Sequence, residues 1–547
     1  MRIVVIGAVA AGTSAAAKAR RNSEDAEIVI YEKDRHISYS GCGMPYYLGG
    51  AVESVDALAP RDPAYFKGRY NVDVLTRHEV LFISPAEKRV TVKNLETGGV
   101  FQDHYDKLVI ATGAKATAPK IPGADKPHVF TLRAFGDMLR IKTFLDVHRP
   151  QTAAVVGAGF VGLEMCENLK RLGLEVTLIE KLPQVAVGLD EDMAGHVQDH
   201  IEKSGVKVLT GATVLTITES GVMLSDGSLI PAGLVLLSTG VRPNTELAAA
   251  AGIELGVAGA IRVDAKMRTN LPDVYASGDC VEQFHVVTGK PVWRPLGSTA
   301  NKTGRIAGDS VTGGDLAFRG VLGTGIFQVF GMAVAQTGLT EREARTEGYD
   351  AVVCHNIKPD KPDYMHGRDM VIKGVADRAT GRLLGAQIVG FEGVDKRIDV
   401  FATAITFKAN VEDLAHLDLA YAPPFSTTKD PVIYTGMILE NAIRKGRPLM
   451  TPEGLDALVA SGEKYALIDA RSAVQYDKSH IDTAVNIPHE KLRDAAETLD
   501  KDAAVITYCN KGTTGNAAQN ILLGRGFRRV YNLSGGERQY KSTHTKS

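Results

Sequence analysis

Hydrophobic residues along the chain fall into regions with different periods. Two stretches, Ile3 to Arg21 and Ala153 to Arg171, open with a short apolar run, pass through a small-residue turn and continue at helix length. Each is followed by an apolar run that ends on a carboxylate, IVIYE at Ile28 to Glu32 and VTLIE at Val176 to Glu180. Continuous apolar runs of this length read as strands buried on both faces, and strand, glycine turn, helix, strand is the βαβ nucleotide-binding unit. It occurs twice. From Gly325 the pattern changes: GIFQVFGMAVAQTG and GRLLGAQIVG read as antiparallel strands and VDKRIDVFATAITFKA as a helix. KGRPLMTPEG, with Pro448 and Pro452, reads as a linker into a fresh α/β segment that runs to the polar tail KSTHTKS.

With 547 residues the chain is too long for a single core, so about three to five domains are expected. Its 63 Lys and Arg balance 64 Asp and Glu, which leaves no electrostatic case for a nucleic-acid or membrane partner. There is no run of about eighteen apolar residues, and MRIVVIGAVAAG is a strand and turn rather than a signal peptide, so the expected location is the cytoplasm. Cys42, Cys166, Cys280, Cys354 and Cys509 are scattered, with no CxxC pair and no zinc spacing; no metal site is expected, and functional thiols should act singly.

The second βαβ unit carries the full GxGxxG in Gly157, Gly159 and Gly162: tight turn, close approach to a pyrophosphate, and helix–strand packing. Glu180, ending the next strand, can accept from the ribose 2′-hydroxyl of NADH and would repel the 2′-phosphate of NADPH, although Lys181 beside it leaves NADPH open. Gly240, after the apolar run LVLLST, joins the same nucleotide set. In the first unit Gly7 and Gly12 bracket four small residues and the middle glycine is missing. Glu32 and Lys33 follow its second strand, Thr112 and Gly113 lie in the strand and turn LVIATGA, and TNLPDVYASGDC ends in Gly278 and Asp279. These segments resemble the flavoprotein disulfide reductase superfamily. The resemblance implies bound FAD, with Asp279 on its ribityl and pyrophosphate part and Ala300 in the same cofactor set.

Cys42 lies in HISYSGCGMPYYLGG, soon after the first unit's acidic strand end. A thiolate near a flavin can accept electrons and attack a sulfur–sulfur bond. Tyr47 stands where glutathione-reductase-like enzymes carry a second cysteine, so Cys42 would work alone. GAVAAG, SYSGCGMPYY, EGVDKRIDV and LAYAPPFSTTKDP, over roughly residues 1–441, resemble coenzyme A-disulfide reductases and NADH-dependent persulfide reductases. That resemblance makes Cys42 the redox cysteine, residues 321–445 a dimerisation domain in a homodimer, and Tyr364 and Tyr421 the groups that reach the partner subunit's Cys42 to protonate or orient a leaving thiolate.

Ser14, Lys18 and Arg21 share one helix face by their spacing and could grip the phosphates of coenzyme A, as matching family positions do, with Ser38 near the thiol end; a solvated basic face is the other reading. Gly41 replaces a usual asparagine and PDYMHG a tyrosine-tyrosine-proline pattern, which leaves the thiol substrate open. Phe160 could cover the flavin until nicotinamide displaces it or pack its helix, and Glu164 could bond the nicotinamide side or sit exposed.

Asp469, Arg471, His480, Asn486 and Pro488 resemble the rhodanese pattern. Cys509 follows the strand VITY and opens CNKGTTG, a turn whose backbone N–H groups can face inward ahead of a helix and stabilise a thiolate or persulfide. Thr514 stands where many rhodaneses have arginine, which favours general sulfane-sulfur carriage over transfer from thiosulfate to cyanide.

The expected architecture is α/β: two Rossmann-like nucleotide-binding domains, FAD-binding at 1–112 with 240–320 and NAD-binding at 113–239, an α+β dimerisation domain at 321–445 and an α/β rhodanese domain at 452–547. The expected enzyme is an FAD-dependent NAD(P)H oxidoreductase that reduces coenzyme A persulfide, polysulfide or coenzyme A disulfide, with Cys509 carrying sulfane sulfur. An NADH oxidase or peroxidase cycling Cys42 through sulfenic acid, and a thiol redox sensor, are the alternatives.

Overall fold

The computed structural model describes residues 1–117 and 119–544. They divide into two compact units, one of residues 1–183 with 205–323, the other of residues 184–204 with those from 324 on. Among the described residues no helix is long and apolar enough to cross a membrane.

The first unit holds two five-stranded parallel sheets. In one, Val274–Ala276, Lys107–Ile110, Arg2–Ile6, Glu27–Glu32 and Asp73–Thr76 lie side by side, so a strand made late in the chain completes a sheet begun at its start. In the other the order is Lys207–Leu209, Glu175–Ile179, Thr152–Val156, Leu234–Leu237, Val129–Phe130. The glycine turns are the same object made twice. A Cβ on Gly7 would stand 2.3 Å from the Ala111 carbonyl oxygen, and one on Gly157 would stand 2.5 Å from that of Ser238. Cβ atoms on Gly12 and Gly162 would strike the carbonyls of Gly7 and Gly157 at 1.8 and 2.0 Å. Only glycine lets each helix begin this close to its strand.

The second unit is built on the antiparallel sheet Gly325–Val329, Met332–Gly338, Leu383–Gly390, Asp369–Asp377, Ala351–Pro359. Leu383–Gly390 is buried at every position, with the helix Val394–Thr406 packed on it and on Met332–Gly338. Cross-strand register sets Gln336, Gln387, Lys373 and His355 in one row over four strands. Residues directly opposite share a face, so this is a polar row running across the sheet. The helix Glu191–Lys203 covers it: Gln387 accepts from the Asp190 N–H at 2.9 Å, Lys373 pairs with Asp192 at 2.7 Å and Glu341 at 2.8 Å, and His355 Nε2 meets Asp192 at 2.7 Å.

From Leu449 the chain forms a further five-stranded sheet, parallel and ordered Leu449–Met450, Val530–Leu533, Ala504–Tyr508, Tyr465–Asp469, Val485–Asn486. The polar row anchors it too. Ser534 Oγ lies 3.0 Å from His355 Nδ1 and accepts the His355 backbone N–H at 2.7 Å, while Gln539 donates to the Asp192 carbonyl at 3.0 Å.

Candidate functional site

One candidate centre surrounds Cys42, which sits in the single turn Gly41–Gly43 ahead of the helix Met44–Leu48. A Cβ on Gly43 would come within 2.4 Å of the Leu58 side chain and one on Gly49 within 2.0 Å of the Asn168 side chain, so a larger residue at either position would displace its neighbour. Of the five cysteines Cys42 alone is exposed; Cys166, Cys280, Cys354 and Cys509 are buried. Surrounding protein mass and the nearby Glu164 carboxylate push the Cys42 thiol up, and the Arg133 charge works against them. Arg133 itself pairs with Asp279 at 2.6 Å and donates to the Ala114 carbonyl at 3.1 Å. Tyr46 donates to Glu164 at 3.1 Å, yet burial pushes that carboxyl up to about 7. Tyr47 is half-buried, and Phe160, first residue of its helix, is half-buried as well.

The predicted cofactor residues all lie within this unit. Glu32 is buried and accepts from the Ala8 N–H at 2.8 Å and the Asp34 N–H at 2.9 Å; burial raises its pKa. Glu180 repeats the arrangement, accepting from Ala158 at 2.7 Å and Leu182 at 2.8 Å, while Lys33 and Lys181 are exposed. Thr112 donates to the Asn244 carbonyl at 2.6 Å, and Gly113 and Gly240 take φ of +67° and +101° with open space where a Cβ would stand. The turn at Gly278 lies against Ala11 and Ala300, and Gly304 lets the helix Gly297–Ser310 approach the Ala11 backbone.

These residues fit FAD and a nicotinamide dinucleotide. Ser277 Oγ, just before the Gly278–Asp279 turn, is buried without a hydrogen-bond partner among the described residues. A Cβ at Gly159 would enter open space, as a pyrophosphate cradle requires.

The proposed phosphate grip is only partly assembled. Ser14 donates to Asn301 at 2.7 Å and Lys18 is paired with Asp309 at 3.1 Å, whereas Arg21 turns toward the Tyr70 ring, 5.6 Å from its centroid, in a surface cavity of about 500 Å³ lined also by Arg20 and Arg69. Ser38, at φ +49°, donates its backbone N–H to the Ala8 carbonyl at 2.8 Å and ties the Cys42 loop to the glycine turn. In the second unit Tyr364, in the short turn Asp363–Met365, and Tyr421, in a loop, are both exposed. Arg397, 1% exposed, joins those segments: it donates to the Asp360 carbonyl at 3.0 Å, to Ser426 Oγ at 3.1 Å and to the Asp430 carboxylate at 3.1 Å.

The other candidate centre is the Cys509 turn. Cys509, 6% exposed, joins the strand Ala504–Tyr508 to the helix Thr513–Gly524. A Cβ on Gly536 would meet the Cys509 carbonyl oxygen at 2.1 Å, and Asn532 donates to the Gly512 carbonyl at 3.1 Å. Arg471, held by Asp469 and Glu537, donates to Asn510 Oδ1 at 2.7 Å, and Asn486 donates to the Asp469 and Arg471 carbonyls at 3.1 and 3.0 Å. Of the rhodanese-like positions, Asp469, Arg471 and Asn486 therefore brace the turn from behind, and Pro488 leads into the short turn His489–Lys491. His480 is exposed and stacked on Tyr476, 4.0 Å between ring centroids. Glu537 and the polar row under Ser534 carried no signal in the sequence beyond being polar residues in apolar surroundings.

Residues 1–299 match the pyridine nucleotide-disulphide oxidoreductase family, residues 326–431 its dimerisation domain and residues 451–543 the rhodanese-like domain. A protein of Methanocaldococcus jannaschii named NADH oxidase is 36% identical over 81% of this chain and 99% of its own length. The reduced Bacillus anthracis CoADR-RHD structure superposes with a TM-score of 0.97 at 36% identity, covering 100% of this chain and 98% of that one. The NAD-dependent persulfide reductase of A. fulgidus gives 0.91 at 37% identity, covering 99% and 100%. This chain belongs to the pyridine nucleotide-disulphide oxidoreductase family, with the family's dimerisation domain and a rhodanese-like domain following in the same polypeptide.

Proposed function

We propose that this protein is a homodimeric, FAD-dependent NAD(P)H oxidoreductase that reduces coenzyme A persulfide, polysulfide or coenzyme A disulfide at Cys42, with Cys509 carrying sulfane sulfur. The observation that carries this reading is that Cys42 is the one exposed thiol of five, set among nucleotide-binding turns without a second cysteine beside it, in a chain that also holds a braced rhodanese turn. Bound FAD supplies acceptance of a hydride from reduced nicotinamide and delivery of an electron pair to sulfur.

The chain's own residues do the rest. Gly7, Gly12 and Glu32 hold the flavin nucleotide with Lys33, Thr112, Gly113, Asp279 and Ala300 around it; Gly157, Gly159, Gly162 and Glu180 hold the nicotinamide nucleotide, with Gly240 and Phe160 at its edge. Glu180, already pinned by two backbone N–H groups, presents a carboxylate that favours NADH over NADPH. Arg133 favours the Cys42 thiolate. That thiolate attacks the outer sulfur of a coenzyme A persulfide, the Cys42–sulfur bond forms as the old sulfur–sulfur bond breaks, and the coenzyme A thiolate leaves. Tyr364 and Tyr421, tied together through Arg397, act on the partner subunit's Cys42 and give the leaving thiolate its proton or its orientation. The sulfur–sulfur bond of the resulting Cys42 persulfide then takes up one electron pair and breaks, returning the Cys42 thiolate and releasing hydrosulfide. Ser14, Lys18, Arg21 and Ser38 receive coenzyme A, which requires a phosphate to draw Lys18 from Asp309. Unpaired thiols acting singly suit a reducing compartment, and we place the protein in the cytoplasm.

Anaerobic NADH oxidation with coenzyme A persulfide, polysulfide and coenzyme A disulfide, with sulfide release followed, tests the proposal. Fast turnover of the persulfide or polysulfide with sulfide is expected. Oxygen consumption with no turnover of any sulfur substrate would replace it with the oxidase reading, which the relative named NADH oxidase and the exposure of Cys42 favour.

A further inference from the structure

By its own sequence the Cys509 turn has one cation, Lys511, and that ammonium is turned away to Asp369 at 2.7 Å, a carboxylate that also binds Arg538. Arg471 reaches the turn at Asn510 but is neutralised by Asp469 and Glu537, and the cation that reaches it without a carboxylate of its own comes from the antiparallel sheet. Lys358, near the end of the strand Ala351–Pro359, donates to Thr513 Oγ1 at 3.1 Å and lies 4.3 Å from the centroid of the Tyr434 ring. Thr513 is the first residue of the helix that follows Cys509, so the ammonium stands at a helix N-terminus, where negative charge is already favoured.

Lys358 is half-buried and has no carboxylate within ion-pair distance among the described residues. Burial, then the charge of Lys511, with Lys429 in support, disfavour its protonated form; Cys509 as thiolate and Asp369 favour it. A partly desolvated cation beside a thiol turn, lacking a counter-ion, is stabilised by an anion that fills the gap.

We infer that Lys358 selects the sulfur donor of the Cys509 centre: it binds a small sulfane-sulfur anion, thiosulfate or polysulfide, and holds it for attack by Cys509. This rests on Cys509 being the sulfur carrier. With thiosulfate, the Cys509 thiolate attacks the outer sulfur, a cysteine–sulfur bond forms, the donor's sulfur–sulfur bond breaks, and sulfite leaves with the electron pair while Cys509 keeps the sulfur as a persulfide anion. The donor site is thus completed by a residue outside the rhodanese fold, and Lys358 takes the part that an arginine at the Thr514 position would play.

The test is anaerobic loading of the full chain with thiosulfate, reading the gain of one sulfur atom on the Cys509 peptide by mass spectrometry. Lys358→Met should load about tenfold more slowly, the loss of one charge-assisted contact, and Lys358→Arg should stay near the parent. Alkylation of Cys509 by neutral iodoacetamide should fall by clearly less than thiosulfate loading in Lys358→Met, because it reads the thiolate but not the charge of the donor. Parental loading by Lys358→Met would overturn the inference. An equal loss of iodoacetamide reactivity would also overturn it, reducing Lys358 to a structural prop. If neither thiosulfate nor polysulfide loads Cys509 in the parent, the carrier reading itself fails and takes the inference with it.

Discussion

The two thiol centres are built on opposite electrostatic plans. Cys42 is exposed, with the carboxylates Glu164 and Asp279 among the charges near it and Arg133 as the opposing cation. Cys509 is buried in a backbone turn, with Lys358 reaching toward it from another sheet. A thiol kept largely protonated until an adjoining cofactor or substrate changes its field is suited to redox turnover, whereas a buried thiol with a cation at the start of the helix that follows it is suited to holding a sulfur anion. Chemistry of the same element is divided by surroundings rather than by residue type.

Three experiments bear on that division. The largest effect should come from Cys42→Ser, which is expected to lower sulfide-forming NADH oxidation at least a thousandfold while sulfur loading of Cys509 continues at the parental rate; equal loss of both, by parallel turnover and peptide-mass measurements, would make the two centres one. Next is the foundation of the second unit. Burial opposes the charge of Asp192, but His355 and Lys373 outweigh it and hold the carboxyl well below the usual range. Asp192→Ala leaves Lys373 buried with fewer counter-charges and should cost about 3–5 kcal/mol in denaturant unfolding. Because the folded pKa is depressed, the Asp192 contribution is complete at neutral pH and is lost only as pH falls below the ordinary carboxylate range toward the folded value. The smallest effect belongs to Glu164→Gln: the pH profile of NADH oxidation should lose an inflection near 7, with a change of a few fold in rate at its plateau. An unchanged profile would remove Glu164 from the Cys42 field.

Much of the nucleotide-binding unit was legible because its constraints are local. Gly7 and Gly157 each follow a strand and precede a helix, and Glu32 and Glu180 end the next strands, so the repeat could be read within about thirty residues. The spacing of Ser14 and Lys18 gave their shared face but not the Asn301 and Asp309 partners almost three hundred residues away. Gln387 and Lys373 look like ordinary polar positions in strands; what makes them a buried row is a register set by the whole sheet and a helix from residues 191–203. Lys358 was invisible for the same reason, since its meaning depends on a turn 155 residues later. His480 shows the converse: it fits the rhodanese pattern in sequence, while stacking on Tyr476 takes its ring to the surface.

The helix Glu191–Lys203 is made long before the sheet that pairs with it, since Lys373 follows Asp192 by 181 residues. At ribosomal speeds of about 5–20 residues per second, that is a wait of roughly 10–40 s, during which Asp192 must stay hydrated and the helix's apolar side uncovered. A growing chain therefore carries an unfinished surface through the synthesis of residues 205–323, and this helix offers a chaperone a place to bind the nascent polypeptide.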